Sequence, residues 1–120
     1  MKAAYIEAHG GPEVLQYGDV LDPVASPGEA LVDIHAASVN GADWKVRSGA
    51  SGTITDFPYV LGRDFSGVVR AVSEGIDDFS VGDNVFGVCD VGQEGAYAEK
   101  IAIKSSILAP KPDNLSHAEA

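Results

Sequence analysis

Apolar residues along this chain gather in short alternating runs that end at clusters of turn formers, the pattern of half-buried strands. Lys2 to Ala8 is the first run and closes at His9-Gly10-Gly11-Pro12. Val14 to Val20 follows, closed by Asp22-Pro23 and Ser26-Pro27-Gly28. From Ala30 to Val39, Leu31, Asp33, His35, Ala37 and Val39 fall on one face, and Val32, Ile34, Ala36 and Ser38 on the other. Strand side chains alternate between faces and both sets are mixed, so burial is expected on part of each side. Phe65 to Val72, Asn84 to Val88 and Tyr97 to Ile103 read as further strands, with Gly75, Gly82, Gly92 and Gly95 punctuating the intervals. Short strands at this spacing predict a mainly β fold, a closed or partly open barrel.

Two stretches break the pattern. Asn40 to Gly49 predicts one or two helical turns at a strand end: Trp44 and Arg47 share a helical face, as do Asp43 and Arg47, and Gly49 supplies a stop. Ser116-His117-Ala118-Glu119 has capping-box spacing and follows the rigid Pro110-Lys111-Pro112-Asp113. Only four residues follow Ser116, too few for a stable helix. The expectation is a chain cut from something longer.

Composition narrows the functional classes. The 120 residues, with 45% hydrophobic and 22% charged, suit one globular domain. A net charge of −10 argues against a nucleic-acid partner, because no basic surplus exists to release counterions. Cys89 is the single cysteine, which excludes an intrachain disulfide and a four-cysteine zinc lobe. His9, His35 and His117 lie far apart in sequence, so no metal is expected. Glu7, His9 and Gly10-Gly11 interrupt the N-terminus before a signal core forms, and no run approaches the roughly 18 apolar residues of a membrane span. A soluble, cytoplasmic chain without a membrane partner is the expectation.

Several chemistries are absent. No two glycines are separated by one residue, so the G-x-G-x-x-G phosphate turn of a Rossmann domain is missing. The spacings Gly62 to Gly67 and Gly82 to Gly87 are each followed by valine and not by the lysine of a P-loop. No G-x-S-x-G elbow occurs. The chain carries no self-sufficient catalytic centre.

Three segments are nonetheless specific: Ala36-Ala37-Ser38-Val39-Asn40-Gly41-Ala42-Asp43-Trp44-Lys45, Val60-Leu61-Gly62-Arg63-Asp64-Phe65-Ser66-Gly67-Val68-Val69, and Phe79-Ser80-Val81-Gly82-Asp83-Asn84-Val85-Phe86-Gly87. With Met1-Lys2-Ala3 and Gly10-Gly11-Pro12-Glu13-Val14-Leu15, they resemble the N-terminal, GroES-like domain of the medium-chain dehydrogenase/reductase superfamily. The likeness is to its zinc-free quinone oxidoreductase (zeta-crystallin-like) branch and runs from Met1 to Ala120. It implies a GroES-like, partly open β-barrel with short helices over residues 1–120, truncated before a Rossmann domain that would hold the cofactor.

The resemblance also implies a chemistry. The zinc alcohol dehydrogenases of the superfamily carry a Cys ligand at the position of Asn40 and a His ligand at that of Arg63. Neither replacement binds zinc well, since Asn is a weak ligand and Arg is permanently cationic. In the zinc-free branch, hydride passes from NADPH to a quinone or activated enone, and the growing negative charge on the carbonyl oxygen needs preorganised donors. Asn40, with its amide, and Lys45, with its cation, are therefore candidate catalytic and cofactor-binding residues. Arg63 is a third catalytic candidate beside Asp64. The bland alternatives are a turn or N-cap role for Asn40, a solvated surface position for Lys45, and a structural ion pair for Arg63 or Asp64. Some relatives carry tyrosines where this sequence has Lys45 and Ser51. A longer parent would be a homodimeric oxidoreductase, the fragment alone being inactive. The alternative function is a stand-alone GroES-like or co-chaperonin-type binding module.

Overall fold

Eight strands and one α-helix form in the computed structural model, which describes all 120 residues. The strands are β1 (Lys2–Ile6), β2 (Gln16–Asp19), β3 (Glu29–Ala37), β4 (Tyr59–Val60), β5 (Asp64–Val72), β6 (Asn84–Val88), β7 (Lys100–Lys104) and β8 (Ala109–Pro110). They pair antiparallel throughout, in a three-stranded sheet ordered β2-β1-β4 and a five-stranded sheet ordered β7-β3-β5-β6-β8. The sheets do not close into a complete barrel. Residues 97–99 join them: Ala4 N donates to Tyr97 O at 2.8 Å, and Ile34 N donates to Glu99 O at 2.8 Å. No helix is long and apolar enough to cross a membrane.

The alternation decides what each strand buries. On β3, Ala30 and Val32 are fully buried while Leu31 and Asp33 are half-buried, so burial falls on part of each face. They pack in the main core with Phe65 and Val69 of β5, Val85 of β6 and Ile103 of β7. A second, smaller core gathers Ile6, Leu61 and Val46. Gly67 is fixed by proximity: a Cβ there would stand 2.0 Å from the Asp33 carbonyl oxygen.

Two expected strands form over different residues. The second begins at Gln16 because Pro12 opens a 3-10 turn over Pro12–Val14, closed by Leu15 N donating to Pro12 O at 3.2 Å. The last begins at Lys100 because Tyr97 N bonds Leu61 O at 2.8 Å, which holds Tyr97 off the β3 ladder. The two-residue strands β4 and β8 are too short to leave a sequence signal.

The predicted helix is α1 (Gly41–Ser48). Asn40 is its N-cap, Asp43 sits in the first turn and Lys45 and Arg47 in the last, each complementing the helix dipole. Gly49 ends it in the left-handed region (φ 84°). Val46 packs the helix onto the smaller core, and Arg47 Nε donates to Gly10 O at 3.2 Å. The capping box at Ser116 forms as one turn: Ser116 N donates to Glu119 Oε1 at 3.1 Å and Glu119 N to Ser116 Oγ at 3.2 Å.

Candidate active site

The end of β3 runs into α1 at Asn40, and two carboxylates hold that residue. Asn40 N donates to Asp43 Oδ2 at 2.8 Å, as the capping box requires. The same oxygen accepts from the Tyr97 hydroxyl at 2.5 Å. Asp43 is buried and its Oδ1 has no partner. Burial and then the bond to Asp43 push the Tyr97 hydroxyl above its ordinary pKa, so it remains a donor.

Asp64, at the head of β5, holds the Asn40 side chain. Pairing of Ala37 with Phe65 brings the two strand ends together. Asp64 Oδ1 accepts from Ser38 N at 3.1 Å and from the Ser38 hydroxyl, while Oδ2 accepts from Asn40 Nδ2 at 3.1 Å. Burial alone would raise the Asp64 pKa, but the bonds from Ser38 and Asn40 outweigh it and hold the carboxyl below its usual value. It is therefore an acceptor only, which fixes the Nδ2 end of Asn40 toward it.

Apolar groups border this polar network. Val39 is 85% exposed, Trp44 50% and Val88, directly across from Asp64, 59%. A groove of about 570 Å³ runs from Ser38 and Asp64 past Phe65 and Phe86 to His117. At its far end, Ser66 Oγ lies 2.6 Å from His117 Nδ1, and His117 Nε2 lies 3.1 Å from Asn84 Oδ1.

The structure places the three candidates differently. Asn40 lies within the network, one of its Nδ2 hydrogens directed to Asp64. Lys45 is exposed on α1, makes no ion pair, and keeps Nζ 5.8 Å from the Trp44 ring centroid. Arg63 lies in the bend just before β5 and reaches toward Glu94. Its Nη1 stands 3.8 Å from Oε1 of Glu94, whose side chain is 1% exposed and accepts from the Tyr59 hydroxyl and from Gly92 N at 2.9 Å. Tyr97 and Glu94 were not site candidates from sequence. The spacing of Asn40 and Asp43 was the only local signal of the network, and it says nothing of a tyrosine 54 residues beyond Asp43.

Residues 26–113 match the family model of the alcohol dehydrogenase GroES-like domain. The chain belongs to that family. Within it, this GroES-like domain lies with the N-terminal domains of the medium-chain dehydrogenase/reductase superfamily, on the quinone oxidoreductase branch. It is 34% identical over 117 residues to the quinone oxidoreductase of Mus musculus, covering 97% of this chain and 35% of the relative. A mitochondrial NAD(P)H oxidoreductase of Homo sapiens is 32% identical over 136 residues, covering 100% of this chain and 34% of the relative. The GroES-like domain thus spans about a third of the length of these relatives. Among solved structures, the quinone oxidoreductase of Coxiella burnetii superposes with a TM-score of 0.91 at 32% identity, covering 100% of this chain and 39% of that one. The Escherichia coli quinone oxidoreductase complexed with NADPH superposes at 0.89 with 28% identity, covering 98% and 35%.

Proposed function

We propose that residues 1–120 form the substrate-binding domain of a zinc-independent, NADPH-dependent oxidoreductase that transfers hydride to a quinone or activated enone. The observation that carries this reading is the Asn40 side chain, fixed by Asp64 at the turn into α1 and bordered by exposed Val39, Trp44 and Val88. A fixed amide among apolar groups suits a flat, weakly polar ring bearing a carbonyl.

The residues fit one end of the cofactor only. A helix N-terminus is the usual seat of a phosphate, but that of α1 is occupied by its cap and by the Asp43 carboxylate, which repels an anion. In this reading Asn40 and Lys45 meet the nicotinamide end, and the phosphates belong to a cofactor domain elsewhere in the parent. When bound, NADPH supplies the hydride. Lys45 then offers its ammonium to the negative charge growing on the substrate oxygen, and Asn40 offers its remaining N–H. Arg63, beside Asp64, adds positive potential that Glu94 partly offsets. The positions matching zinc ligands hold Asn40 and Arg63, engaged by Asp64 and Glu94, so the chemistry runs without zinc. We place the parent in the cytoplasm as a homodimer. The co-chaperonin alternative finds no support among the relatives, which are oxidoreductases.

Lys45→Met in the parent enzyme tests the assignment. Loss of the cation should lower kcat/KM with an enone or quinone at least about tenfold, equivalent to about 1.4 kcal/mol, while leaving the thermal melt unchanged. An unchanged kcat/KM would return Lys45 to the solvated surface, and a large fall in melting temperature would make it structural.

A further inference from the structure

We propose that Asp64 is the positioning residue of this site, acting through Asn40 and not on the ligand itself. The proposal rests on the reading that Asn40 meets the ligand. A carboxamide has two ends of opposite character on a broad terminal torsion, so its direction must be imposed by its neighbours. Asp64 imposes it. Its Oδ1 is anchored by the backbone and hydroxyl of Ser38, its Oδ2 faces Asn40 Nδ2 at 3.1 Å, and its charge makes the reversed amide a clash of acceptors. The Asn40 backbone is held separately by Asp43, so loss of Asp64 should free the side chain without undoing the turn. The consequence for the ligand is specific. With one Nδ2 hydrogen directed to Asp64, Asn40 keeps a single N–H for a carbonyl oxygen, in a fixed direction.

Hydrogen exchange of side-chain amides in this chain tests the idea without any turnover. The Asn40 Nδ2 protons should exchange several times more slowly than those of Asn114, which is exposed and makes no side-chain hydrogen bond. In Asp64→Asn, which keeps the volume and removes the charge, Asn40 should approach the Asn114 rate while the backbone amides of α1 stay protected. If Asp64→Asn does not fold, Ser38→Ala removes a hydroxyl anchor at an exposed position and should give a smaller change in the same direction. Asn40 exchange that is unchanged in the folded variants overturns the proposal.

Kinetics in the parent enzyme separate it from the functional reading. Asp64→Asn and Asn40→Ala should lower kcat/KM by similar factors, about tenfold, and the double variant should lose no more than Asn40→Ala alone. Losses that multiply would mean that Asp64 acts independently of Asn40, and the proposal falls. If Asn40→Ala leaves kcat/KM unchanged, the proposed role of Asn40 fails, while the exchange result on Asp64 stands by itself.

Discussion

The Tyr97 hydroxyl donates to Oδ2 of Asp43 at 2.5 Å across 54 residues of chain, and that contact ties the segment bridging the two sheets to the first turn of α1. Asp43 is buried with Oδ1 already unpartnered, so it depends on the donors that remain. Tyr97→Phe removes one of two donors to Oδ2 and leaves the carboxylate further unsatisfied. The expected cost is about 1–3 kcal/mol, read as a lower urea midpoint with an unchanged m value. A midpoint equal to that of the native chain would mean that water replaces the hydroxyl.

Gly67→Ala should be among the most damaging single changes in the chain. The added methyl would meet the Asp33 carbonyl at 2.0 Å and the Val32 side chain at 3.0 Å, so the β3–β5 ladder has to separate. A loss of about 3 kcal/mol or more is expected from overpacking against rigid backbone. Gly28→Ala is the control. Nothing lies within 4 Å of its added Cβ, so any cost there comes from the positive φ of 83° alone. Equal destabilisation by the two would refute the steric account.

Acid titration should single out Asp22. Hydrogen bonds from the N-terminal ammonium at 2.7 Å and from Lys100 Nζ at 2.9 Å lower its carboxyl pKa from 3.8 to about 2. The folded pKa is depressed, so the stabilisation is complete above the unfolded value and is lost as pH falls through about 2. NMR of the carboxyl carbon should show a midpoint near 2 that rises when Lys100 is changed to Met. A midpoint already at the unperturbed value in the native chain would refute the ion-pair geometry.

Cys89 should resist thiol reagents until the chain unfolds. It is 1% exposed in the main core, and burial, followed by the charge of Glu94, raises its thiol pKa to about 11. Both thiolate population and access are thereby low near neutral pH. Labelling by a disulfide reagent at pH 8 should occur only through opening of the core, at a rate that follows added denaturant. Rapid stoichiometric labelling of the native chain would place Cys89 at the surface.

The sequence by itself determined α1 and six of the eight strands, but neither the two-residue β4 and β8 nor the starts of β2 and β7. Residue alternation put burial on part of each face of β3 without selecting the fully buried one, and Asn40 and Gly49 bound the helix through local backbone chemistry, so each effect acts over a few neighbouring positions. Read as adjacent strand residues, Arg63 and Asp64 were expected to face apart, but Arg63 precedes the strand in a bend, so alternation does not govern the pair. What each of them faces was decided only by the tertiary structure. Arg63 turns to Glu94, 31 positions on, and Asp64 turns back to Asn40, 24 positions away. The same holds for Tyr97 and Asp43, separated by 54 positions. A hydrogen bond depends on distance and direction in space, and no local period carries either across such separations. Asn40 was thus open to reading in the sequence as a candidate while Tyr97 and Glu94 were not, and the direction of the Asn40 amide was set by strand pairing that places Ala37 opposite Phe65.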